Sequence, residues 1–425
     1  MVKGKGLQTG VLSKDEIGNI CTEAFSDIRV DGKKVLFLLP DHTRTAPLDV
    51  LFPVLYSLLA ERVELLDFII ALGTHPPMSQ EMIYQQLGIS VNEAQTTFKK
   101  ARFFNHQWKD PDQLVHIGTI DKEEIEEISG GRWIEPVKVN INKLVLDYDL
   151  LVILGPTFPH EVVGFSGGNK YLFPGIAGQD IIDMFHWLGA LITSPAIIGT
   201  KYTPVREVVD RSASFLPIER YCLSLVVKGN DLAGLYAGPP EEAFAAAAEL
   251  SEQLHIIYKD KPYQSVLARA PEMYDDLWTG GKCMYKMEPV VADGGELIIY
   301  APHIEQISVT HGVYIKEIGY HVRDYFIDNM DQFPHIPKGV MAHSTHVRGI
   351  GTYENGLEQP RISVTLATRI PKEICERVNL GYRDPDTIHP EDWRDHEEDG
   401  FLYVPKAGEM LYRLKEDPFR VQRRR

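Results

Sequence analysis

The apolar positions of this chain come in short unbroken runs separated by longer mixed stretches. Val35-Leu36-Phe37-Leu38-Leu39 is apolar at every position and stops at Pro40-Asp41. A strand without polar alternation is one buried on both faces, as in a parallel sheet. A helix over 48–62 comes next, then a strand over 63–72 that ends in Gly73-Thr74-His75, and a third strand over 146–154 that ends in Gly155-Pro156-Thr157. Segments 221–227, 265–268, 296–300 and 363–368 continue the strand series. Residues 241–254 predict a helix, alanine-rich and acidic in its first turn, where the helix dipole favours negative charge. This alternation predicts an α/β protein: two α/β domains with mostly parallel, doubly wound sheets and a ligand cleft between the domains. The polar break Lys259-Asp260-Lys261-Pro262 divides an N-terminal domain over 1–262 from a C-terminal domain over 263–397. Residues 398–425 are then a tail, either a peripheral cap or a return to the N-terminal domain.

Three polar clusters come directly after predicted strands: 41–44, 73–75 and 157–160. Ligands of open α/β sheets bind beyond the carboxyl ends of the strands, so the three converge on one expected ligand edge.

Composition narrows the function classes. With 425 residues, 44% hydrophobic and 24% charged, the chain has an ordinary globular make-up. A net charge of −16 argues against a nucleic-acid partner, and Arg423-Arg424-Arg425 reads as a solvated tail. No apolar run reaches bilayer length, and Met1-Val2-Lys3-Gly4-Lys5 lacks the apolar core of a signal peptide. Cys21, Cys222, Cys283 and Cys375 are scattered without a C-x-x-C pair, which predicts buried thiols in a reducing cytoplasm.

The densest chemistry lies in His160-Glu161-Val162-Val163-Gly164-Phe165-Ser166-Gly167-Gly168-Asn169-Lys170, with Pro174-Gly175 and His186 just beyond. Paired glycines can take φ > 0 and turn backbone N–H groups toward an anion. Lys170 stands two positions beyond them, and the flanking histidines suit metal ligation or proton transfer. Asp41-His42-Thr43-Arg44 offers a guanidinium able to clamp a carboxylate or phosphate, while Asp41 also reads as an N-cap for the helix after it. His75, set against Pro76-Pro77, is a candidate general base. Gly164-Phe165-Ser166-Gly167-Gly168 fits the G-x-S-x-G nucleophile elbow in letters only. No strand leads directly into the serine, and Pro174-Gly175 interrupts the helix that an elbow needs after it. His75, His160 and His186 also admit a three-histidine zinc site for hydrolysis, and a non-catalytic small-anion binding protein is a third reading.

Taken together, these motifs resemble the nickel-pincer lactate racemase family over roughly residues 30–300. D-x-T-R is met by Asp41, Thr43 and Arg44, G-x-H by Gly73 and His75, the long central motif by His160 through Lys170, and the later P-G and histidine by Pro174, Gly175 and His186. A further lysine, Lys282, precedes Gly294-Gly295. The resemblance implies a racemase or epimerase of a 2-hydroxy acid that moves hydride to and from a nickel-pincer nucleotide. In that family a pyridinium mononucleotide with thioamide and thiocarboxylate sulfurs is linked to the lysine matching Lys170, and the histidine matching His186 binds nickel. His75 and His160 would be the catalytic bases, and Arg44 and Lys282 the substrate carboxylate ligands. Asp41, Thr43, Ser166, Gly167 and Gly168 would lie on the cofactor side. Proteins that make the cofactor are implied partners. Pro76 stands where the family's lactate enzymes have arginine, and Trp278-Thr279 where they have Tyr-Gln. Those changes in the pocket wall imply a lactate-like or larger acid, such as a sugar acid.

Overall fold

The computed structural model describes residues 1–419 and divides into two compact units; the terminal arginine run lies outside the described residues. The first unit comprises residues 1–158, 165–182 and 206–254, and the second 159–164, 183–205 and 255–425. The chain therefore passes between the units several times, with the long central motif and the helix Gln179–Ile192 contributing to both.

A seven-stranded sheet forms the first unit, in the order Lys3–Gly6, Asp231–Gly238, Glu219–Lys228, Leu150–Pro156, Lys34–Leu39, Leu65–Ile70, Ala101–Asn105. The last five run parallel, and the first two pair antiparallel at one edge. Residues 35–39 are fully covered on both faces, the burial that their unbroken apolar run requires. The turn from Glu219–Lys228 into Asp231–Gly238 is a two-residue hairpin whose Gly229 takes φ +64°, as the hairpin twist demands. Helix Lys14–Ser26 opens with a capping box between Ser13 and Glu16.

The α/β class stands, while several boundaries move. The helix begins at Leu48 as expected but ends at Leu59, and the second strand is Leu65–Ile70. The third strand begins only at Leu150, because Asn142 Oδ1 accepts from Leu144 N and winds 143–147 into a 3-10 turn that leaves Leu146 exposed. Asp41 does not cap the helix after it, whose N-cap position is Pro47.

The second unit holds a five-stranded sheet, parallel throughout, ordered Gly381–Tyr382, Ser363–Thr368, Val291–Ala301, Tyr263–Arg269, Phe401–Val404. Leu267, Ile298 and Ala367 form the centre of a cluster on it. A separate parallel pair joins Ile256–Lys259 to Leu411–Leu414.

Candidate active site

In the first unit the parallel register aligns Leu39 with Ile70 and Leu38 with Ile153, so the loops after these strands leave the same sheet edge. Asp41 begins the first loop and is almost fully buried. Its Oδ1 accepts from Thr43 N at 3.0 Å and from Thr43 Oγ1 at 2.7 Å, and its Oδ2 is bonded to His75 Nδ1. Burial opposes the charged carboxyl, but His75, Arg44 and the Thr43 hydroxyl outweigh it and hold Asp41 well below the usual carboxylate range. With Nδ1 committed to Asp41, Nε2 is the nitrogen through which His75 can exchange a proton. Gly73, at φ +56°, shapes the loop that carries His75, and its N–H donates to Gly175 O at 2.9 Å.

The cofactor-anchor candidate Lys170 lies in a 3-10 turn, Gly168–Tyr171, entered through Gly167 at φ +95° and Gly168 at φ +57°. A Cβ on Gly167 would sit 2.3 Å from Thr157 Oγ1, and one on Gly168 would sit 2.9 Å from Phe244 Cβ. Arg206, almost entirely buried, donates to Gly167 O at 3.1 Å and Phe165 O at 2.6 Å while its guanidinium lies 3.9 Å over the Phe244 ring. Asn169 donates to Asp210 and Glu241. The Ser166 hydroxyl donates to Pro156 O at 3.0 Å and accepts from Phe158 N at 2.9 Å, which makes it a brace of the turn. No strand-to-helix elbow forms around it.

The second unit carries His160, His186, Trp278, Thr279 and Lys282. His160 is buried, its Nδ1 accepts from Val162 N at 3.2 Å, and the Glu161 carboxylate lies 3.3 Å away. The Phe185 ring meets both His160 and His186 edge-on, at 6.3 and 5.0 Å. Behind His186, Asp183 Oδ1 accepts from Gly339 N at 2.9 Å, and a Cβ on residue 339 would come within 3.7 Å of His186 Nδ1. The Trp278 ring stacks on His343 at 3.9 Å and meets a tilted His311 ring at 4.3 Å. Burial, then the neighbouring His346, His311 and His186, keep the His343 imidazole far below its ordinary pKa, hence neutral. Thr279 N donates to Asp276 Oδ1, and the Lys282 ammonium stands 4.7 Å over the Tyr274 ring.

Residues 17–197 match the lactate racemase N-terminal domain. A lactate racemase of Thermoanaerobacterium thermosaccharolyticum is 25% identical over 288 residues, 66% of this chain and 63% of that protein. One from Lactiplantibacillus plantarum is 30% identical over 166 residues, 38% of this chain and 34% of that protein. The chain is a homologue of the lactate racemases. Its aligned stretch spans less than two thirds of either relative's length. A crystal structure of a Thermotoga maritima protein, 34% identical, superposes with a TM-score of 0.88 over 96% of this chain and 100% of that one. The lactate racemase apoprotein of T. thermosaccharolyticum shares the fold, with a TM-score of 0.70 at 20% identity over 96% and 95% of the two chains.

Three features of this lactate racemase homologue were not visible in its sequence. Arg206 carries the turn at Lys170 from 36 positions away. His311 and His343 flank Trp278 although nothing in their spacing marks them. Asp67, on a strand that reads as apolar, is held by Arg102 and Tyr148.

Proposed function

We propose that this lactate racemase homologue is a racemase or epimerase of a 2-hydroxy acid, lactate-like or larger, working with a nickel-pincer nucleotide anchored on Lys170. The observation that carries the reading is the Asp41–His75 pair, a buried carboxylate holding a partly exposed imidazole in one tautomer on the sheet edge where α/β enzymes bind ligands. The activity reported in the names of the relatives belongs to them, and its extension to this chain rests on that pair together with the lysine turn.

The residues fit the cofactor. A protein-only zinc site needs three or four protein donors, and no group of three or more His, Cys, Asp or Glu poised for a metal occurs among the described residues. A metal on His186 would therefore draw its remaining donors from a cofactor, which disfavours the zinc-hydrolase reading. The Gly167-Gly168 turn, in which a Cβ at either position would collide, presents Lys170 with little side-chain bulk before it. When bound, a nickel-bearing pyridinium nucleotide supplies an electrophilic carbon that accepts and returns hydride.

The substrate's α-hydrogen is a very poor acid beside an ionised carboxylate, so removal as hydride avoids a carbanion and leaves a planar 2-keto acid open on both faces. Each enantiomer then needs a base for its hydroxyl proton. His75, steered by Asp41, takes it at Nε2, and His160, with Glu161 beside Nδ1, is the second base. Arg44 and Lys282 hold the carboxylate, which keeps the keto acid in place between steps. Trp278 and Thr279 form pocket wall. In this reading the enzyme works in the cytoplasm, beside the proteins that make the cofactor.

Intact mass and nickel content of protein co-expressed with the cofactor-making proteins test this reading. An adduct mapping to Lys170, one nickel per chain, and C2 exchange of at least one 2-hydroxy acid are expected; Lys170→Ala abolishes the adduct. An unmodified, nickel-free chain alongside a lactate racemase control that loads normally overturns it.

A further inference from the structure

The Asp41–His75 pair joins two loops of the first unit through its side chains, and the same loops are tied a second time away from the chemistry. Gln86 ends the helix Gln80–Gln86 and is partly buried. Its Nε2 donates to Pro40 O and to Asp41 O, each at 3.2 Å. Those carbonyls belong to the two peptide units on either side of the Asp41 Cα, beyond the last residue of the strand Lys34–Leu39. Peptide units are planar, so the soft backbone rotations of a residue are those between its two flanking planes. One nitrogen that holds both planes therefore fixes the direction in which the Asp41 side chain leaves the backbone.

Between His75 and Gln86 the chain has little freedom. His75 N donates to Leu72 O at 2.9 Å. Pro76 and Pro77 follow, with φ locked by their rings, and a residue before proline is held toward extended geometry, which restricts His75 and Pro76. Met78 comes next, buried, with both of its backbone groups on one side chain. Its N–H donates to Asn105 Oδ1 at 3.0 Å, and its carbonyl accepts from Asn105 Nδ2 at 2.8 Å. Ser79 then caps the helix by accepting from Met82 N at 3.2 Å. The bonds form a closed circuit: Asp41 to His75 through side chains, His75 to Gln86 along braced backbone, and Gln86 back to Asp41.

The circuit bears on the chemistry because a neutral imidazole can carry its proton on either nitrogen, and the hydrogen bond made by one of them decides which. Thr43 holds Asp41 Oδ1 through its N–H and its hydroxyl, so the carboxylate moves only with the 41–44 turn. Gln86 ties that turn to the segment that carries His75. A glutamine at a helix end is ordinarily solvated, and two bonds that bracket one Cα set this one apart.

We propose that Gln86 is a positioning residue for the Asp41–His75 pair, fixing the Asp41 backbone so that its carboxylate keeps the His75 proton on Nδ1. The proposal deepens the racemase reading and takes from it the role of His75 as a base.

Long-range ¹H–¹⁵N NMR of the full chain labelled at histidine, without cofactor, tests it at pH about 9, above the ordinary histidine pKa. His75 is assigned by the signal lost in His75→Gln. Wild type should carry the His75 proton on Nδ1 alone. Gln86→Met keeps the length but donates nothing, and should give a mixture of both tautomers with wild-type circular dichroism. Gln86→Lys keeps a donor and should restore Nδ1–H. In loaded enzyme Gln86→Met should lower kcat about tenfold with KM within twofold, less than the loss of a general base altogether. An unchanged His75 spectrum in Gln86→Met overturns the proposal, as does a wild-type imidazole protonated on Nε2. Equal spectra for Gln86→Lys and Gln86→Met overturn it too, since they would make Gln86 a packing residue only. The spectra need neither cofactor nor turnover, so failure of the racemase reading and failure of this one are told apart.

Discussion

The Asp41 carboxylate and the His75 imidazole are locked together through Oδ2 and Nδ1, while Thr43 occupies the other carboxylate oxygen with two hydrogen bonds. The carboxylate can therefore neither rotate away nor take a proton easily. Asp41→Asn keeps the shape but can donate to Nδ1 and turn the imidazole into the wrong tautomer. The corresponding change in a serine-protease triad lowers kcat by about 10⁴. For Asp41→Asn in loaded enzyme, kcat should fall by about 10²–10⁴ with KM within a few-fold, measured as racemisation of the accepted hydroxy acid. A kcat within threefold of wild type would rule out His75 as an oriented base. The depressed Asp41 pKa adds a second signature: its stabilising contribution is complete above the ordinary carboxylate value of about 3.9 and is lost only as pH falls through the lower folded value.

Sequence carried the parts of this picture that residue type and local spacing can encode. Runs such as 35–39 are apolar at every position, which leaves only a strand covered on both faces, and the sheet edge they define collects Asp41 and His75. Lys170 and His186 were legible as a motif. The start of the strand at Leu150 was not, because one side-chain bond from Asn142 turns an apolar stretch into a 3-10 turn. Long-range partners were also hidden: Asp67 finds Arg102 and Tyr148, 35 and 81 positions away. A second task of Ser166 was hidden too: its hydroxyl braces the turn by donating to Pro156 O and accepting from Phe158 N.

Gly164 is a position where no side chain fits. It takes φ +90°, and a Cβ there would lie 1.8 Å from Thr200 O. Backbone strain and a collision with a carbonyl, which cannot swing aside as a side chain would, act together. Gly164→Ala should destabilise the protein by about 2–4 kcal/mol in urea unfolding. A loss below about 0.5 kcal/mol would mean that this turn relaxes freely.

His106 sets an acid limit on stability. It is buried, with Nε2 bonded to Ala177 O and Nδ1 to the Asn142 amide, and burial lowers its pKa to about 4. Between pH 6.5 and 4 the unfolded chain binds a proton there that the folded chain refuses, so stability falls as pH falls through that window. The full difference corresponds to about 3 kcal/mol. Relative to wild type, His106→Gln should lose less stability from pH 7 to pH 4.5, by up to that amount. Parallel curves for the two proteins would show that His106 does not titrate with unfolding.

Trp278 packs against two imidazoles, stacked on His343 at 3.9 Å and tilted against His311 at 4.3 Å. Each such ring contact is worth about 0.5–1.5 kcal/mol beyond the area it buries, enough to fix the indole in one orientation. A rigid indole beside Thr279 and Lys282 suits a wall that shapes the substrate pocket without entering the chemistry. A contact of that kind is made equally in the ground and transition states, so its loss raises KM and spares kcat. Trp278→Ala in loaded enzyme should raise KM about tenfold with kcat within threefold, and Trp278→Phe, which restores a ring against the two histidines, should recover most of the loss. Circular dichroism matching wild type would exclude misfolding as the cause. A fall in kcat at unchanged KM would instead place Trp278 among the groups that touch the reacting atoms.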